Sequence, residues 1–545
     1  MMKNIKDPIY GYLEIEDKYF KLIDTAYFQR LRNIRQTSYQ ALYPSALHNR
    51  FVHSLGVFHL GKKAIIHFRE NIKNQIENQI SDESWSLIEE TFILACLLHD
   101  VGHSPFSHIG EARYLIGTDL KELLCEAIYG NACSSDLLPG IGSPHEAMSV
   151  LIGLEMCDEY DFGIDRELFA RAIIGLRYTP QKDTADTVIR NAIITLLNGR
   201  LIDVDKLDYL SRDSYVTGYS SLTIDVDRLL SGYTIGKDSS GQLRIAYERK
   251  SLSVVENVIY ANDLERRWIQ NHPTVLYDSM LMDFAIRHFD KGMMNLHCMN
   301  SEALPTVFVK QALSATGLFN KGVPIRLLCD DDIVSYIKNV ENPTEVDRQL
   351  ISRDARLKPL WKSEAEFDAY SSGELTNTIS KDLQEDIRGT LVFIEAHTDC
   401  FINETALTAA KNAILEAEKE RIDEKIPLSY KRAMYICELF NRFQTEYALP
   451  DFEFAVVMVS IFETNYRKLE IENINIEVSE NKIVELDKLL SVRAQQDNSE
   501  KPSSLFYVYT TEQNLQIAHD NGVNLGKEFF ECFRMWYQRE RSPMP

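Results

Sequence analysis

Histidines and an aspartate crowd one short stretch of this sequence, "CLLHDVGHSPFSH" at residues 96–108. Eight of the 13 histidines in the chain fall between His48 and His145. A hydrolytic metal centre in a helical protein needs neutral imidazoles and carboxylates from several elements, with one coordination position left open for water. The stretch therefore predicts part of such a centre, and other elements must bring the remaining ligands to it.

The adjacent pair His99 and Asp100 restricts the local backbone. Neighbours on a regular helix point about 100° apart, so both side chains can reach one ion only where a helix ends. The segment "SWSLIEETFILACLLHD" has helical periodicity with Ser84 as its N-cap, and Val101 and Gly102 follow the pair as a stop signal. We therefore expect a helix that ends at the pair.

Two candidates for the remaining ligands lie far from the pair along the chain. His53 stands in "NRFVHSLGV" and Asp205 in "LIDVDKLDYLSRD". Taken alone, His53 could be a hydrogen-bonded core histidine, and Asp205 could be a helix cap or a solvated charge. The order and context of all four residues together favour a metal centre.

Six motifs occur in the order in which one enzyme family has them. They are "DPIYGYLEI", "IDTAYFQRLRNIRQ", "HNRFVHSLGV", "LLHDVGHSPFSH", "HEAMSV" and "IDVDKLDYLSRD". Through them the chain resembles the HD-domain metal-dependent phosphohydrolases. It is most similar to the dGTPase branch of deoxynucleoside triphosphate (dNTP) triphosphohydrolases that includes the vertebrate sterile-alpha-motif/HD-domain enzyme. The similarity covers about residues 5–300 and implies a mainly α fold built on an HD-domain helical bundle.

The resemblance implies one divalent metal ion per site, held by His53, His99, Asp100 and Asp205. Mixed histidine and aspartate ligands suit Mn, Fe, Zn or Mg-type ions, so the sequence does not determine which metal is bound.

The resemblance also assigns catalytic roles to residues near the histidine-rich stretch. His145 in "SPHEAMSV" occupies the position of a family histidine near the scissile bond, where a proton donor helps the nucleoside oxygen to leave. Glu111 matches a family aspartate that pairs with the catalytic histidines, and His103 would stand near the nucleophilic water. The alternative for His103 and His108 is a structural role in the turn after the helix.

Several residues around the expected centre could grip a nucleotide. Arg50 lies three residues before the candidate ligand on its own helix, and therefore on nearly the same face. Lys206, Tyr209 and Asp213 follow at spacings of three and four, which predicts one stripe along a helix. The contacts that the resemblance implies are Arg50, His108 and Lys206 with phosphate, Gln36 and Tyr209 with the sugar, and Asp213 with the 3′-hydroxyl.

The match to the family fails in the segment "LERRWIQNH". Ala261, Glu265 and Ile269 stand where the family has a phosphate-binding arginine, a histidine and a sugar-gating tyrosine. Losing one charge-assisted phosphate contact costs about 1.5–3 kcal/mol. The hydrolytic chemistry is therefore better supported than the leaving group. The substrate is either a triphosphate held in another way, by His272 or Arg266, or a different nucleotide.

A regulatory site is also implied by the resemblance. Lys3, Asp24, Gln29 and Arg32 match residues that read a guanine-nucleotide activator between subunits. The alternative explanation is structural, with Asp24 and its neighbour capping a helix and Arg32 forming an ordinary ion pair.

Length and composition bound the other possibilities. The 545 residues exceed one ordinary core, and we expect three parts. Residues 1–300 form the HD-type domain with a small hairpin in "DSSGQLRIAYERKSL", and residues 301–380 form a helical extension that includes "LISRDARLKPLW". Residues 381–545 form an α+β lobe for regulation or oligomerisation, with β-rich segments in "TLVFIEA", "FEFAVVMVSIFE" and "SLFYVYTTE".

Charge and targeting signals narrow the class further. The net charge of −22 repels phosphate backbones, so nucleic acid is disfavoured as a partner. No apolar run is long enough for a membrane span, and the first residues lack an apolar signal core, so we expect a cytoplasmic protein. The nine cysteines are scattered without a CxxC pair, which predicts reduced thiols.

The leading hypothesis is metal-dependent hydrolysis of dNTPs to deoxynucleoside and triphosphate by a homo-oligomer, a dimer or a tetramer. The alternatives are a phosphohydrolase of another nucleotide (modified, signalling or monophosphate) and a nucleotide-sensing regulatory HD protein.

Overall fold

The computed structural model of this protein describes most of the chain. The described residues are 2–73, 80–113, 120–129, 143–179, 184–199, 202–219, 224–298, 328–371, 377–419, 426–459, 474–479, 482–489 and 505–540. The chain divides into two compact units. The first comprises Met1–Trp268, Phe289–Val334 and Glu463–Ser499, and the second comprises Ile269–His288, Ser335–Phe462 and Glu500–Pro545.

Helices dominate the described residues. In chain order they are α1 (Asp17–Ile23), α2 (Ala26–Arg30), α3 (Arg50–Ile72), α4 (Asp82–Leu98), α5 (Leu120–Tyr129), α6 (Pro144–Glu159), α7 (Arg166–Ile174), α8 (Ala185–Leu197), α9 (Val204–Thr217), α10 (Val226–Leu230), α11 (Leu252–Glu265), α12 (Pro273–Cys298), α13 (Asp330–Asn339), α14 (Glu345–Ile351), α15 (Glu364–Ser371), α16 (Asn377–His397), α17 (Glu404–Lys419), α18 (Leu428–Glu446), α19 (Glu512–Asp520) and α20 (Leu525–Glu540). The expectation of a mainly α fold is confirmed.

The strands are short and form three sheets. They are β1 (Met2–Asp7), β2 (Gly11–Glu16), β3 (Tyr233–Lys237), β4 (Leu243–Glu248), β5 (Lys358–Pro359), β6 (Ile402–Asn403), β7 (Glu453–Met458), β8 (Asn475–Ser479), β9 (Lys482–Glu485) and β10 (Phe506–Thr510). In the first unit β1 pairs with β2, and a second sheet has the order β3-β4-β8-β9, in which β4 and β8 run parallel. In the second unit the order is β5-β10-β7-β6. Strands from late in the chain therefore complete a sheet of the first unit.

Local sequence signals explain where the helices around the histidine-rich stretch begin and end. The side chain of Asn49 caps α3 by accepting a backbone hydrogen bond from its first turn. Ser81, and not the expected Ser84, caps α4 in the same way. Helix α4 ends at Leu98, as the adjacent His-Asp pair predicts. Helix α9 ends at Gly218, whose φ of 69° lies in the left-handed region that favours glycine.

The core of the first unit fixes the relative positions of these helices. Leu94, Leu97 and Leu98 on α4 have no exposed surface. Helix α3 packs against both α4 and α9. Burying such side chains supplies most of the driving force for folding, so the three helices are held together by apolar contacts and not by the polar site itself.

The second unit has its own apolar core, which is rich in aromatic residues. Trp361 is fully buried and donates its indole N–H to the carbonyl of Phe506 at 2.9 Å. Its ring lies 5.0 Å from that of Phe530. The division of the chain into 1–300, 301–380 and 381–545, with a regulatory or oligomerisation lobe at the end, stays a prediction.

Some local predictions are confirmed and others are wrong. The hairpin in "DSSGQLRIAYERKSL" and the strands in "FEFAVVMVSIFE" and "SLFYVYTTE" are present as β3-β4, β7 and β10. The segment "TLVFIEA" instead lies in α16, where Ile387, Thr390 and Ile394 are buried at helical spacing. The helical periodicity of α16 as a whole therefore overrides the β-propensity of the short segment "TLVFIEA" within it.

Two more expectations need correction. The helix expected through "LISRDARLKPLW" stops at Ile351. Later in the same segment, Lys358 and Pro359 form the edge strand β5, a position where proline is tolerated. Cys125 is disulfide-bonded, so the expectation of uniformly reduced thiols is wrong at that position. Six other described cysteines carry free thiols: Cys96, Cys157, Cys329, Cys400, Cys437 and Cys532.

None of the helices in the described ranges combines the length and the apolar character that a membrane crossing needs.

Candidate metal centre and nucleotide site

Three elements bring the four predicted metal ligands together. His53 lies in the first turn of α3, His99 and Asp100 follow the last turn of α4, and Asp205 lies in the first turn of α9. The His53 Nε2 atom is 2.9 Å from Asp205 Oδ1, and the His99 Nε2 atom is 3.8 Å from the same oxygen. Asp100 lies 3.5 Å from each of the two imidazoles, through a different oxygen for each. The donor atoms therefore converge on one point.

The hydrogen bonds of the two histidines leave their inner nitrogens available for a cation. The Nδ1 atom of His53 bonds to the Asp208 carboxylate at 2.7 Å, and the Nδ1 atom of His99 bonds to the Cys96 carbonyl at 3.0 Å. Such partners fix the ring orientation in metal sites. The Nε2 atoms of both rings are buried and face the carboxylates of Asp100 and Asp205. Asp205 is 35% exposed, so the point of convergence can be reached from outside.

The charges around this point also favour a cation. Burial alone would lower the pKa of His53, but hydrogen bonds to Asp205 and Asp208 raise that pKa to about 10. Burial would raise the pKa of Asp100, yet the charges of Arg50, His99 and His103 together outweigh it and hold that pKa well below the usual range. Both effects arise because the carboxylates of the pocket are ionised, and a bound divalent ion would take the place of the proton on His53. The residues therefore fit a divalent ion in charge and in donor type.

A second layer of buried charges supports the ligands, and the sequence reasoning missed it. Asp208 bonds His53 on one side and forms a two-pronged contact with Arg212 at 2.8 and 2.9 Å on the other. Arg212 also donates to Asp7 at 3.0 Å. Gly56 permits this approach, since a Cβ there would lie 1.9 Å from the Asp208 carboxylate. The i, i+3, i+7 spacing from Asp205 to Asp208 and Arg212 was the available signal, because it predicts one helix face.

Arg50 contacts the centre from the start of α3. Its guanidinium donates to Asp100 at 2.8 Å and to the Ser107 hydroxyl at 2.9 Å, and it is buried. It therefore orients one candidate ligand and one residue of the following loop. Phosphate binding by Arg50 stays a prediction.

The predicted catalytic residues form a second group beside the first. His103, His145 and Glu111 lie together, with the rings of the two histidines stacked 4.0 Å apart. Glu111 Oε1 is 2.8 Å from Nδ1 of His145 and 2.6 Å from Nδ1 of His108. Burial alone would raise the pKa of Glu111, but these hydrogen bonds lower it. His103 is also 3.2 Å from Asp100, which links the two groups.

The predicted stripe on α9 is present, but Lys206 and Asp213 already have protein partners. Lys206 donates to Asp203 at 2.6 Å and to the Gly199 carbonyl at 2.8 Å. Tyr209 is half-buried, and burial raises its pKa well above the usual value. Asp213 is buried, and burial raises its pKa to about 7.

Asp213 belongs to a buried polar cluster. The His48 Nε2 atom lies 2.6 Å from Asp213 Oδ1, and Asp213 is also hydrogen-bonded to Glu265. Tyr39 donates its hydroxyl to Glu265 at 3.2 Å. Gln36 is bonded through its backbone N–H to the carbonyl of His48, and its own buried Oε1 has no hydrogen-bond partner among the described residues. Two of the three predicted sugar contacts, Gln36 and Asp213, therefore lie on either side of His48, a residue that the sequence reasoning did not assign.

In the segment that departs from the family, most of the residues in question are buried or have hydrogen-bond partners. Glu265 is 5% exposed, Ala261 is half-buried, and Arg266 is tied to Asp263 at 3.0 Å. Ile269 and His272 belong to the second unit; Ile269 is buried there, and the Nδ1 atom of His272 accepts a hydrogen bond from the Thr274 backbone.

The predicted activator residues lie near the start of the chain, and two of them are hydrogen-bonded to each other. Gln29 donates to the Ile23 carbonyl at 2.8 Å, and Arg32 donates to Gln29 at 2.7 Å. Lys3 is 3.7 Å from Asp17. Asp24 is exposed at the end of α1. The neighbouring Thr25 caps α2, so the structural explanation holds for that position, while nucleotide binding stays a prediction.

Comparison with known proteins agrees with this geometry. Residues 50–173 match the family described as "HD domain", a span that contains His53, His99 and Asp100 and ends before Asp205. This part of the chain therefore matches an HD domain.

Its relatives include named enzymes. The chain is 34% identical over 237 residues to the deoxynucleoside triphosphate triphosphohydrolase SAMHD1 homolog of Dictyostelium discoideum, which covers 42% of this chain and 39% of that protein. It is 28% identical over 305 residues to deoxynucleoside triphosphate triphosphohydrolase SAMHD1 of Homo sapiens, covering 53% and 45%. The resemblance to the HD-domain dNTP triphosphohydrolases is confirmed.

Other relatives have no assigned activity. An uncharacterised protein of Methanocaldococcus jannaschii is 29% identical over 301 residues, covering 53% of this chain and 51% of that protein. Each of these matches spans about half the length of the curated relative or less. A crystal structure of a hypothetical protein from Aquifex aeolicus is 19% identical with a TM-score of 0.52, covering 96% of this chain and 100% of that one, and it supports the fold alone.

Proposed function

We propose that this protein hydrolyses dNTPs to a deoxynucleoside and inorganic triphosphate. The observation that carries the proposal is the convergence of His53, His99 and Asp205 on one point, with Asp100 between the two imidazoles. A divalent ion held there would polarise a phosphoryl oxygen and activate water. The relatives whose names specify this reaction support the choice of substrate.

Residues of the chain would donate the proton and bind the substrate. Water attacks the α-phosphorus, the bond from phosphorus to the 5′ oxygen breaks, and that oxygen takes a proton. His145 would donate this proton. Its imidazole lies beside the group of candidate metal ligands, and Glu111 accepts a hydrogen bond from its Nδ1 atom. Arg50 and Lys206 would bind phosphate oxygens once these displace their present partners. Gln36 and Asp213 would bind the sugar.

Product analysis tests the proposal directly. The purified protein is incubated with Mn, Fe, Zn or Mg ions and each dNTP, and the products are separated. Deoxynucleoside with triphosphate supports the proposal. Pyrophosphate, or inorganic phosphate alone, would replace it with another nucleotide phosphohydrolase. Binding without turnover for every nucleotide would favour a nucleotide sensor.

A second candidate is hydrolysis of another nucleotide, whether modified, signalling or a monophosphate. The favouring observation is Glu265, a buried acid bonded to Asp213 and Tyr39 where the family has a histidine. A histidine at this position can carry a positive charge and an acid cannot, so Glu265 offers no counter-charge to a highly charged phosphate chain. A thermal-shift panel of nucleotides separates the two, because the preferred ligand raises the midpoint of unfolding most.

We expect Glu111→Gln to lower kcat while leaving metal binding intact. The amide removes the negative charge that His108 and His145 share, and the loss of a charge-assisted hydrogen bond of about 1.5–3 kcal/mol corresponds to roughly a tenfold to hundredfold lower rate. Steady-state kinetics and metal analysis measure both effects. The control Glu83→Gln changes an exposed glutamate in the first turn of α4 and should have wild-type kinetics. Equal rates for the two variants would remove Glu111 from the mechanism.

The remaining predictions concern localisation, oligomeric state and activation. We propose a cytoplasmic homo-oligomer, a dimer or tetramer, that responds to a guanine nucleotide through Lys3, Asp24, Gln29 and Arg32. The exposure of Lys3, Asp24 and Arg32 supports this proposal. Light scattering with and without guanosine triphosphate measures both the oligomeric state and its response.

A further inference from the structure

The loop that carries the candidate catalytic residues has an unfavourable backbone conformation. This loop, residues 103–111, begins at His103 and ends at Glu111. Phe106 and Ser107 in its middle have φ angles of 57° and 55°. Residues with side chains seldom adopt this left-handed region, and two in succession persist only where the surroundings hold them. Contacts from outside the loop must therefore stabilise it.

A carboxylate from a distant part of the chain makes such a contact. Asp330, the first residue of α13, accepts the backbone N–H of Phe106 at 2.7 Å through Oδ1. It accepts the backbone N–H of Arg35 at 3.0 Å through Oδ2, and the Arg35 guanidinium is 3.8 Å from the same oxygen. Asp330 is only 2% exposed, so water cannot easily replace these bonds. Both oxygens are used, and an asparagine would keep only one as an acceptor.

The same segment also holds the start of the loop. Arg30 is buried and donates from Nη2 to the carbonyl of His103 at 2.6 Å. It donates from Nε to the carbonyl of Leu328 at 2.6 Å. The backbone at residues 328–330 is therefore joined to the loop at two points, His103 and Phe106.

The candidate metal ligands are supported from elsewhere. His53 and His99 are oriented by hydrogen bonds to Asp208 and to the Cys96 carbonyl, on helices α9 and α4. The bonds of Asp330 described above reach only backbone N–H groups of the loop and of Arg35. A change at Asp330 should therefore disturb the loop and leave His53 and His99 in place.

We propose that Asp330 is a positioning residue, which holds loop 103–111 in the strained conformation that presents His103 and Glu111 to the metal centre. The catalytic part of this inference rests on the proposed function, and the structural part does not. The first turn of α13 thus acts as a clamp on a site to which it contributes no ligand. Nothing in the sequence around "DDDIVSYIKN" indicates this role, because the contact joins residues more than two hundred positions apart.

The test compares Asp330→Asn with Asp331→Asn. The control removes the same charge from the same helix turn, but Asp331 is exposed. Hydrogen-deuterium exchange of the peptide covering residues 103–111 is measured by mass spectrometry for wild type and both variants, together with bound metal and kcat. Asp330→Glu keeps both acceptor oxygens and serves as a second variant, with exchange expected between wild type and Asp330→Asn.

We expect faster exchange at residues 103–111 in Asp330→Asn only, with unchanged metal content and a kcat lower by about tenfold or more. Wild-type exchange in Asp330→Asn overturns the proposal, as does faster exchange that spreads equally over α3 and α4. If Asp330→Asn does not fold, Asp330→Glu decides, because its longer side chain displaces both oxygens: faster exchange confined to residues 103–111 supports the proposal, and faster exchange spread equally over α3 and α4 overturns it. Because exchange needs no substrate, a wild-type protein that turns over no nucleotide counts against the hydrolase and not against the clamp.

Discussion

Replacing Asp205 by alanine is expected to abolish metal-dependent turnover, with kcat/KM lower by on the order of 10³-fold or more. Among the described residues, Asp205 is the carboxylate that approaches both imidazoles through a single oxygen, at 2.9 and 3.8 Å. Removing it leaves a divalent ion with less charge compensation and one ligand fewer, so the variant should also lose bound metal. Metal analysis and kinetics at saturating metal measure the two effects.

Folding should survive this change. The Asp205 side chain is 35% exposed, so little packing is lost, and circular dichroism should match that of wild type. The control Asp227→Ala removes another helical aspartate, which is 71% exposed and pairs with Lys63 on the surface. It should keep both metal and activity. An Asp205→Ala variant that retained full activity would show that this carboxylate is not a ligand.

Asp208→Ala is expected to destabilise the fold and weaken metal binding together. The substitution leaves Arg212 buried with only one of its two carboxylate partners, and removing one side of a buried ion pair costs about 3–5 kcal/mol. It also releases the Nδ1 atom of His53, and loss of such an outer partner typically lowers metal affinity about 10- to 100-fold. Denaturant unfolding and metal titration measure the two quantities.

A matched control separates burial from charge pairing. Asp186 also pairs with an arginine four residues later, Arg190, but its side chain is 48% exposed. Asp186→Ala should change the free energy of unfolding by no more than about 1 kcal/mol. If Asp208→Ala resembled this control in both stability and metal affinity, the outer layer would have no supporting role.

The sequence was sufficient to predict that the four candidate metal ligands lie together, because its signals are local and chemically specific. The adjacent pair His99 and Asp100 requires a helix end, and α4 ends there. His53 and Asp205 were found through short motifs, and the structure brings them within 2.9 Å of each other.

The residues that were missed act through contacts that no local pattern displays. Asp330 meets Phe106 across 224 positions of the chain, and Asp7 meets Arg212 across 205. His48 appeared to be one more histidine of the cluster until its contact with Asp213 was known. Segment "TLVFIEA" was assigned to a strand because a short apolar run does not reveal the helical period of its neighbours.

Hydrolysis of dNTPs in ¹⁸O-labelled water is the most direct measurement of the proposed chemistry. Attack of water on the α-phosphorus, with loss of the 5′ oxygen, places one labelled oxygen in the triphosphate and none in the deoxynucleoside. We predict this pattern for the metal-loaded wild-type protein. Label in the deoxynucleoside, or label in pyrophosphate or phosphate as the released product, would contradict the account.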